Sequence, residues 1–344
     1  MTIQRCLITL NPLKGKKELD AGYSKKGLRY LTGNIITKDH LPFTRSNFIE
    51  VQPILQKGMS ISGYQPKLSL SIINDQFNVV HNSATYILKP SPEQFPMLAE
   101  NEHAIMLIMQ KLGFDVPPFG LVSFAKEREE DTTEYAFIIK RYDRITGQEK
   151  IHQEQLDGSM KVDDKYGKVN NVRKISYQQM CNFLIENVNG GLKFKQDLFK
   201  RILYAYLLGN DDLHLRNFGI LVPEVEANTL APVYDYVSTA PYYEGDLLAL
   251  PLLAIEENET VVAPGQNTKF GAYTGYDFIL FGEGIGLNRN MVLKLLNSSY
   301  DKKNLEIVLG TINNSYMRVD HKDKVISCFN SRIVAIKQTD YEPL

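Results

Sequence analysis

Two aspartates and an asparagine in the second half of the chain have the types and spacing that phosphoryl transfer requires. Asp212 lies in GNDDLHLRNFGIL (209–221), five residues before Asn217, and Asp235 follows in LAPVYDYVST (230–239). In that chemistry an aspartate accepts the proton of the attacking hydroxyl, while an asparagine and a second aspartate hold a metal ion on the nucleotide phosphates. Aspartate and asparagine clusters also commonly cap helices. The placement of Asp235 favours the chemical interpretation, with Asp212 as base and Asn217 and Asp235 as Mg²⁺ ligands.

A lysine and a glutamate in the first half could bind the phosphates of ATP. YILKP places Lys89 inside an apolar strand, where an ammonium group is costly without a partner. Glu102 lies in the next predicted helix, and a lysine–glutamate pair that clamps nucleotide phosphates is the expected arrangement. The alternative is an edge-strand lysine in solvent and a glutamate on the helix surface. Glu100 competes as the partner, although its place in the first turn suits interaction with the helix dipole.

Two glycine-containing segments suggest nucleotide binding, one as a loop over the phosphates and the other as a dinucleotide-binding pattern. GMSISGYQPKLSL (58–70) lies between the first predicted strands, but of the pattern G-x-G-x-x-G only Gly58 and Gly63 are present. The G-x-G-x-G of FGEGIGL (281–287) neither follows a strand in a βαβ unit nor precedes a suitably spaced acidic residue, so we expect loop glycines there.

FIIKRYDR (137–144) ends a predicted strand at the junction between the two halves. We expect the backbone of Lys140 and Tyr142 to face the adenine of ATP, with Asp143 near the ribose. The alternative is an ordinary strand end followed by an Asp-Arg turn.

These residues must be positioned by two lobes of different character. The first half carries short β-branched and aromatic runs separated by turn residues, at 61–72, 77–82, 86–90, 119–124 and 134–142. One helix, predicted over 99–113, interrupts them. The second half has helical apolar spacing at 178–188, 194–210, 288–300, 301–314 and 318–337, with a helix at 198–208 that is apolar nearly all round. The charged 126–134 segment and the polar 157–174 segment are expected loops. We therefore predict an α+β fold with a β-rich lobe over 1–143 and a mainly helical lobe over 144–344.

Composition excludes several classes of protein. Lys+Arg 39 against Asp+Glu 40 gives a net charge of −1, which argues against binding nucleic acid by bulk electrostatics. The longest apolar runs fall far short of the roughly 20 residues of a membrane span, and the N-terminus does not look like a secretory signal. Three widely spaced cysteines predict neither a disulfide framework nor structural zinc and suit the reducing cytoplasm.

Taken together, SISGYQPKLSL, YILKPS, AENEHAIM, FIIKRYDR, IHQEQ with KYG after it, LLGNDDLHLRNFGIL and LAPVYDYVSTAPYYEGDLLALPL resemble the HipA family of bacterial Ser/Thr kinase toxins. The resemblance covers about residues 58–255. It implies a bilobal kinase-like fold that uses ATP and Mg²⁺, and some members phosphorylate an aminoacyl-tRNA synthetase.

Residue by residue, the resemblance implies Asp212 as base, Asn217 and Asp235 as metal ligands, Lys89 as phosphate clamp with Glu102, and Lys140, Tyr142 and Asp143 as hinge. Gln153 of IHQEQ resembles a nucleotide-contacting position, and Ser62 and Gly63 belong to the nucleotide loop. Family members autophosphorylate a loop serine, which here falls on Ser60 or Ser62. Gln155 and His152 depart from the family, which often has Asp and Pro at these positions.

Full-length family members carry an additional N-terminal subdomain, whereas only some 57 residues precede the loop here. This resembles the short HipT type, which implies a small HipS-like antitoxin and a HipB-like DNA-binding protein as partners. Two other classes stay open: a non-catalytic, pseudokinase-like subunit of such a complex, and a small-molecule kinase. The presence of Lys89, Asp212, Asn217 and Asp235 together speaks against a pure scaffold.

Overall fold

The computed structural model describes residues 4–34, 38, 40–50, 65–144, 150–170, 173–188, 190–243, 245, 247–258 and 260–344. Contacts among them divide the chain into two compact units. The first comprises residues 1–150 and 311–318, and the second comprises 151–310 and 319–344. The lobe boundary that the sequence predicts at 143/144 stays a prediction.

The first unit is built on an antiparallel five-stranded sheet of short apolar strands. The strands are β1 (Leu68–Ile73), β2 (Gln76–Val79), β3 (Tyr86–Pro90), β4 (Phe119–Ser123) and β5 (Tyr135–Lys140), in the spatial order β2-β1-β3-β5-β4. Helix α4 (Leu98–Lys111) packs on β3, β4 and β5, and its side chains from Leu98 to Met109 are all buried. The register pairs Lys89 with Phe137, which places Lys89 in the middle of the sheet.

The segment before the sheet, which the sequence analysis left unexplained, packs on the same core. It forms α1 (Gly15–Ala21), α2 (Lys25–Thr32) and α3 (Arg45–Glu50). The amide of Leu121 donates to the carbonyl of Leu7 over 3.0 Å. A Cβ at Gly120 would lie 2.8 Å from Cγ1 of Ile8, so the chain approaches β4 more closely than any larger residue would allow.

The second unit is mainly helical. It contains the one-turn α5 (Leu156–Ser159), α6 (Tyr177–Asn187), α7 (Leu192–Leu207), α8 (Gly275–Gly284), α9 (Arg289–Ser299), most of α10 (Lys302–Asn314) and α11 (Val319–Ile336). A small antiparallel sheet has the order β10 (Thr229–Leu230), β9 (Gly219–Val222), β6 (His152–Gln155), and β7 (Lys168–Val169) pairs with β8 (Arg173–Lys174). Helix α7 is buried along its second half, as its apolar sequence predicts.

Two expected loops contain regular structure. Over 157–174 the chain includes part of α5 together with β7 and β8. Within FGEGIGL, Phe281–Gly284 form the last turn of α8, so the prediction of loop glycines is wrong for this part. The reason is packing, because a Cβ at Gly282 would lie 2.4 Å from Val292, and glycine lets α8 and α9 approach closely.

Most of the other predicted helices and strands are present with ends shifted by a few residues. The strand predicted over 61–72 begins at Leu68 among the described residues, which do not include 61–64, and the α+β class is confirmed. Among the described helices, none combines the length and apolar character needed to cross a bilayer.

Candidate functional site

Lys89 and Glu102 form a buried ion pair in the first unit. The Nζ of Lys89 lies 2.6 Å from Oε1 of Glu102, and the two side chains are 5% and 0% exposed. Nζ also lies 5.6 Å from the ring centroid of Phe137, its cross-strand neighbour. The contact predicted from the sequence is confirmed. It fixes an ammonium at the centre of the sheet, because β3 presents Lys89 toward the helix that covers it.

Glu100, the competing partner, contacts a different residue. Its Oε2 accepts a 3.5 Å hydrogen bond from Ser91, whose hydroxyl also accepts from the amide of Ala99 at the start of α4. Burial raises the pKa of Glu100 to about 7, although the hydrogen bond from Ser91 and the charge of Arg45 oppose the shift. At neutral pH this carboxyl group is thus close to its midpoint of protonation.

The strand end at 140–143 is held by a local ion pair. Asp143 is buried and accepts from Nε and Nη2 of Arg141 over 2.9 and 2.6 Å. Burial alone would raise the pKa of Asp143, but the hydrogen bonds and charge of Arg141 outweigh burial and lower it. The Lys140 side chain is exposed and Tyr142 is half-buried. Arg141 therefore holds Asp143 in place at this strand end, although the sequence analysis did not single out Arg141.

Residues 58–64 of the predicted phosphate loop lie outside the described residues, whereas 68–70 at its end belong to β1. Residues 58–64 include Gly58, Ser60, Ser62 and Gly63, whose roles stay predictions.

In the second unit, helix α7 is followed by residues 209–217, which we call the Asp212 loop. Gly209 adopts φ of 72°, a conformation that favours glycine, and its carbonyl accepts from the amide (2.7 Å) and Oγ1 (2.9 Å) of Thr239. The Asp212 side chain is buried, and its amide donates to Oδ1 of Asn210 over 3.2 Å. Thr239, which lies in the segment after Asp235, therefore fixes the start of the Asp212 loop.

Asn217 and Asp235 lie side by side, as their predicted common role requires. Nδ2 of Asn217 donates to Oδ2 of Asp235 over 3.4 Å, while Oδ1 of Asn217 accepts from the amide of His214 over 2.8 Å. Asp235 has φ of 59°, a left-handed conformation that aspartate and asparagine adopt more readily than most other residues with a side chain.

His214 occupies the middle of the Asp212 loop and was missed by the sequence analysis. The residue is 3% exposed, and its ring meets that of Tyr166 edge-on with centroids 5.9 Å apart. Burial lowers the pKa of His214 to about 3; the charge of Lys165 lowers it further and that of Asp235 opposes the shift. The imidazole is neutral at physiological pH. Its place two residues after Asp212 was the signal that sequence analysis could have used.

Gln153 is connected to this loop through a tyrosine. Nε2 of Gln153 on β6 donates to the hydroxyl of Tyr234 over 3.3 Å, and that hydroxyl donates to the carbonyl of Arg216 over 2.9 Å. Gln153 therefore shares a hydrogen-bonded network with the residue before Asp235.

The donor set suits Mg²⁺, which proteins bind through one or two carboxylates together with phosphate oxygens of the substrate and water. Asp235 offers a carboxylate, and Oδ1 of Asn217 has a second lone pair besides the one that accepts from the His214 amide. Within the described ranges, no group of three or more His, Cys, Asp or Glu side chains forms a metal cluster. An ion held here would need further oxygens from a bound nucleotide, which is the arrangement expected for phosphoryl transfer.

A model of the HipA-like C-terminal domain matches residues 59–299, more than half of the chain. The chain belongs to the HipA-like family. A Haemophilus influenzae relative, provisionally named a kinase, is 49% identical over 337 residues, covering 96% of this chain and 97% of that protein. The Shewanella oneidensis serine/threonine-protein kinase toxin HipA is 26% identical over 258 residues, covering 69% of this chain but only 54% of the relative. This HipA-like chain is thus related to kinases.

Solved structures agree on the fold. Shewanella oneidensis HipA, solved with HipB and operator DNA, gives a TM-score of 0.62 at 21% identity, covering 96% of this chain and 84% of that one. The Helicobacter pylori proinflammatory kinase CtkA gives 0.50 at 16% identity, covering 83% and 92%. At such identities the likeness establishes the fold alone, and the predicted kinase-like fold is confirmed.

Proposed function

We propose that this HipA-like chain is an ATP-dependent Ser/Thr protein kinase. The observation that carries the proposal is the 3.4 Å contact between Asn217 and Asp235, in the loop system that also holds the buried Asp212. Kinship with kinases agrees with it. A subunit that only assembled a complex would not need Asp235 beside the amide of Asn217 or a lysine buried on Glu102.

Each proposed role follows from the chemistry of the side chain. Asp212 orients the acceptor hydroxyl and takes its proton as the new P–O bond forms. Asn217 and Asp235 would hold Mg²⁺, which neutralises charge on the phosphate oxygens when bound. Lys89, fixed by Glu102, binds the phosphates of ATP. Positioning and electrostatics dominate this reaction, so each group matters by orders of magnitude.

The remaining predicted contacts belong to the nucleotide. Lys140 and Tyr142 would offer backbone groups to the adenine, Asp143 would face the ribose, and Gln153 would contact the nucleotide. Ser62 and Gly63 would complete the phosphate loop. The Arg141–Asp143 ion pair supports a fixed position for Asp143.

Regulation by the loop serines is a further part of the proposal. Phosphate on Ser60 or Ser62 adds roughly −1.5 to −2 charges where nucleotide phosphates bind, and repulsion would switch the kinase off. Mass spectrometry before and after ATP should find the modification. A phosphorylated sample that binds ATP as tightly as a Ser60→Ala/Ser62→Ala variant would contradict the switch.

The decisive test is transfer of label from [γ-³²P]ATP, with the Asp212→Asn variant as comparison. We expect label in acid-precipitated protein, reduced on the order of 10²–10⁴-fold in the variant. Equal labelling by the variant would refute the assignment of the base. Label confined to small molecules would favour a small-molecule kinase, and ATP binding without transfer would favour the pseudokinase-like subunit.

We infer partners from the family. The substrate would be a cytoplasmic protein, with an aminoacyl-tRNA synthetase as first candidate, and the assembly would include HipS-like and HipB-like proteins. The structural likeness to a HipA solved with HipB and DNA supports testing this assembly first. Labelling a purified synthetase panel with wild type and Asp212→Asn tests the substrate; labelling of other proteins but of no synthetase would exclude it.

A further inference from the structure

A tight loop over residues 163–170 packs on the Asp212 loop. Oδ1 of Asp164 accepts from the amides of Tyr166 (2.9 Å) and Lys168 (3.1 Å). Gly167 has φ of 75°, and a Cβ there would lie 2.7 Å from Cβ of Ile175. These hydrogen bonds and this close packing fix the conformation of the loop. The backbone of Lys165 is therefore held in one position.

Three contacts connect Lys165 and its neighbour Tyr166 with the Asp212 loop. The amide of Leu215 donates to the carbonyl of Lys165 over 3.0 Å, which joins the two loops. The Nζ of Lys165 lies 5.0 Å from the ring centroid of Tyr166, and that ring meets His214 edge-on. The ammonium group is therefore held on a ring that contacts the middle of the Asp212 loop.

The basic side chains of the Asp212 loop itself contact other residues. Nε of Arg216 pairs with Oδ2 of Asp157 over 2.6 Å, with the arginine half exposed. His214 is buried against Tyr166. Negative charge spreads over three oxygens of the phosphoryl group in the transition state, while Asp212 and Asp235 add negative charge of their own. A cation fixed nearby would stabilise that state.

We propose that Lys165 is a further catalytic residue whose ammonium contacts the phosphoryl group during transfer; this rests on the proposed kinase function. In the step, the bond between the γ-phosphorus and the bridging oxygen breaks and ADP leaves with its electron pair. A bond forms from the acceptor oxygen to the phosphorus, and the acceptor proton passes to Asp212. Lys165 keeps its protons and acts only by charge and hydrogen bonding.

The test compares Lys165→Met, Lys165→Arg and a matched control, Lys168→Met, in the full-length protein. Lys168 lies on the same loop, and its described contact to Asp164 uses only its backbone amide. We expect Lys165→Met to lose on the order of 10²–10³-fold in kcat while its affinity for ATP, measured by calorimetry, is unchanged. Lys165→Arg should keep kcat within about tenfold because it keeps a cation, and Lys168→Met should match wild type.

A second readout separates chemistry from loop structure. ADP with Mg²⁺ and aluminium fluoride mimics the transferring group, so Lys165→Met should bind this mixture more weakly than wild type does, yet bind ADP equally well. Wild-type kcat in Lys165→Met, or equal loss of ADP and mimic binding, would overturn the role of Lys165 and leave the kinase assignment intact. If neither wild type nor Lys168→Met transfers phosphate, the proposed kinase function is overturned, and the role of Lys165 is overturned with it. If Lys165→Met does not fold, Lys165→Gln takes its place in both measurements.

Discussion

The buried pair between Lys89 and Glu102 allows a prediction that does not depend on catalysis. Two unit charges 2.6 Å apart attract by about 6 kcal/mol at an effective dielectric constant of about 20. Removing both ions from water costs several kcal/mol each, which cancels most of this attraction. The pair as a whole therefore adds little net stability, whereas either ion left alone is strongly unfavourable.

We accordingly expect Lys89→Met and Glu102→Leu to lower the free energy of unfolding by about 3–5 kcal/mol each. The double variant should lose less than either single variant, about 0–2 kcal/mol, because no uncompensated charge stays in the core. Lys140→Met, which alters an exposed lysine on β5 of the same sheet, should change stability by less than about 0.5 kcal/mol.

The chain has no tryptophan, so urea unfolding is best followed by circular dichroism, with hydrogen exchange of peptides over β3 and α4 reporting on the first unit. A double variant that loses the sum of the two single losses would refute the reasoning, because it would mean that the two charges stabilise the fold independently.

Three further outcomes test other features. Burial raises the pKa of Glu100 from 4.5 to about 7, so wild type loses stability as pH rises through this window. The free energy of unfolding of Glu100→Gln should exceed that of wild type by about 1–3 kcal/mol at pH 8 and equal it at pH 4.5. Gly167→Ala combines a positive φ with overlap on Ile175 and should lower the melting temperature and kcat, whereas Gly158→Ala, which meets nothing within 4 Å, should do neither. Asp235→Asn should keep the melting temperature, since asparagine tolerates the left-handed conformation, yet lose phosphoryl transfer; unchanged transfer would exclude Asp235 as an essential metal ligand.

The elements that the sequence predicted well have a strong local signal. The second half of helix α7 follows from a segment that is apolar nearly all round, and β3 and β5 follow from short β-branched and aromatic runs. The last turn of α8 was missed because its glycines suggested a loop. Their small size instead serves contact with Val292, a neighbour that comes from another helix. Tertiary packing here outweighed the low helix propensity of glycine, and a local sequence pattern cannot reveal such packing.

The candidate site divides along the same line. Asp212 and Asn217 share one short loop, so their spacing alone placed them, and Lys89 with Glu102 could be paired because a strand and the next helix pack together. Lys165 entered the sequence analysis only as part of KYG and without a role, since its relation to the Asp212 loop depends on a backbone bond to Leu215 and on the Tyr166 ring. A cation proposed to act from a separate loop is positioned by the fold, so its distance along the chain from Asp212 can vary. For this reason the sequence could single out the proposed base and metal ligands, whereas the role proposed for Lys165 is argued from the structure.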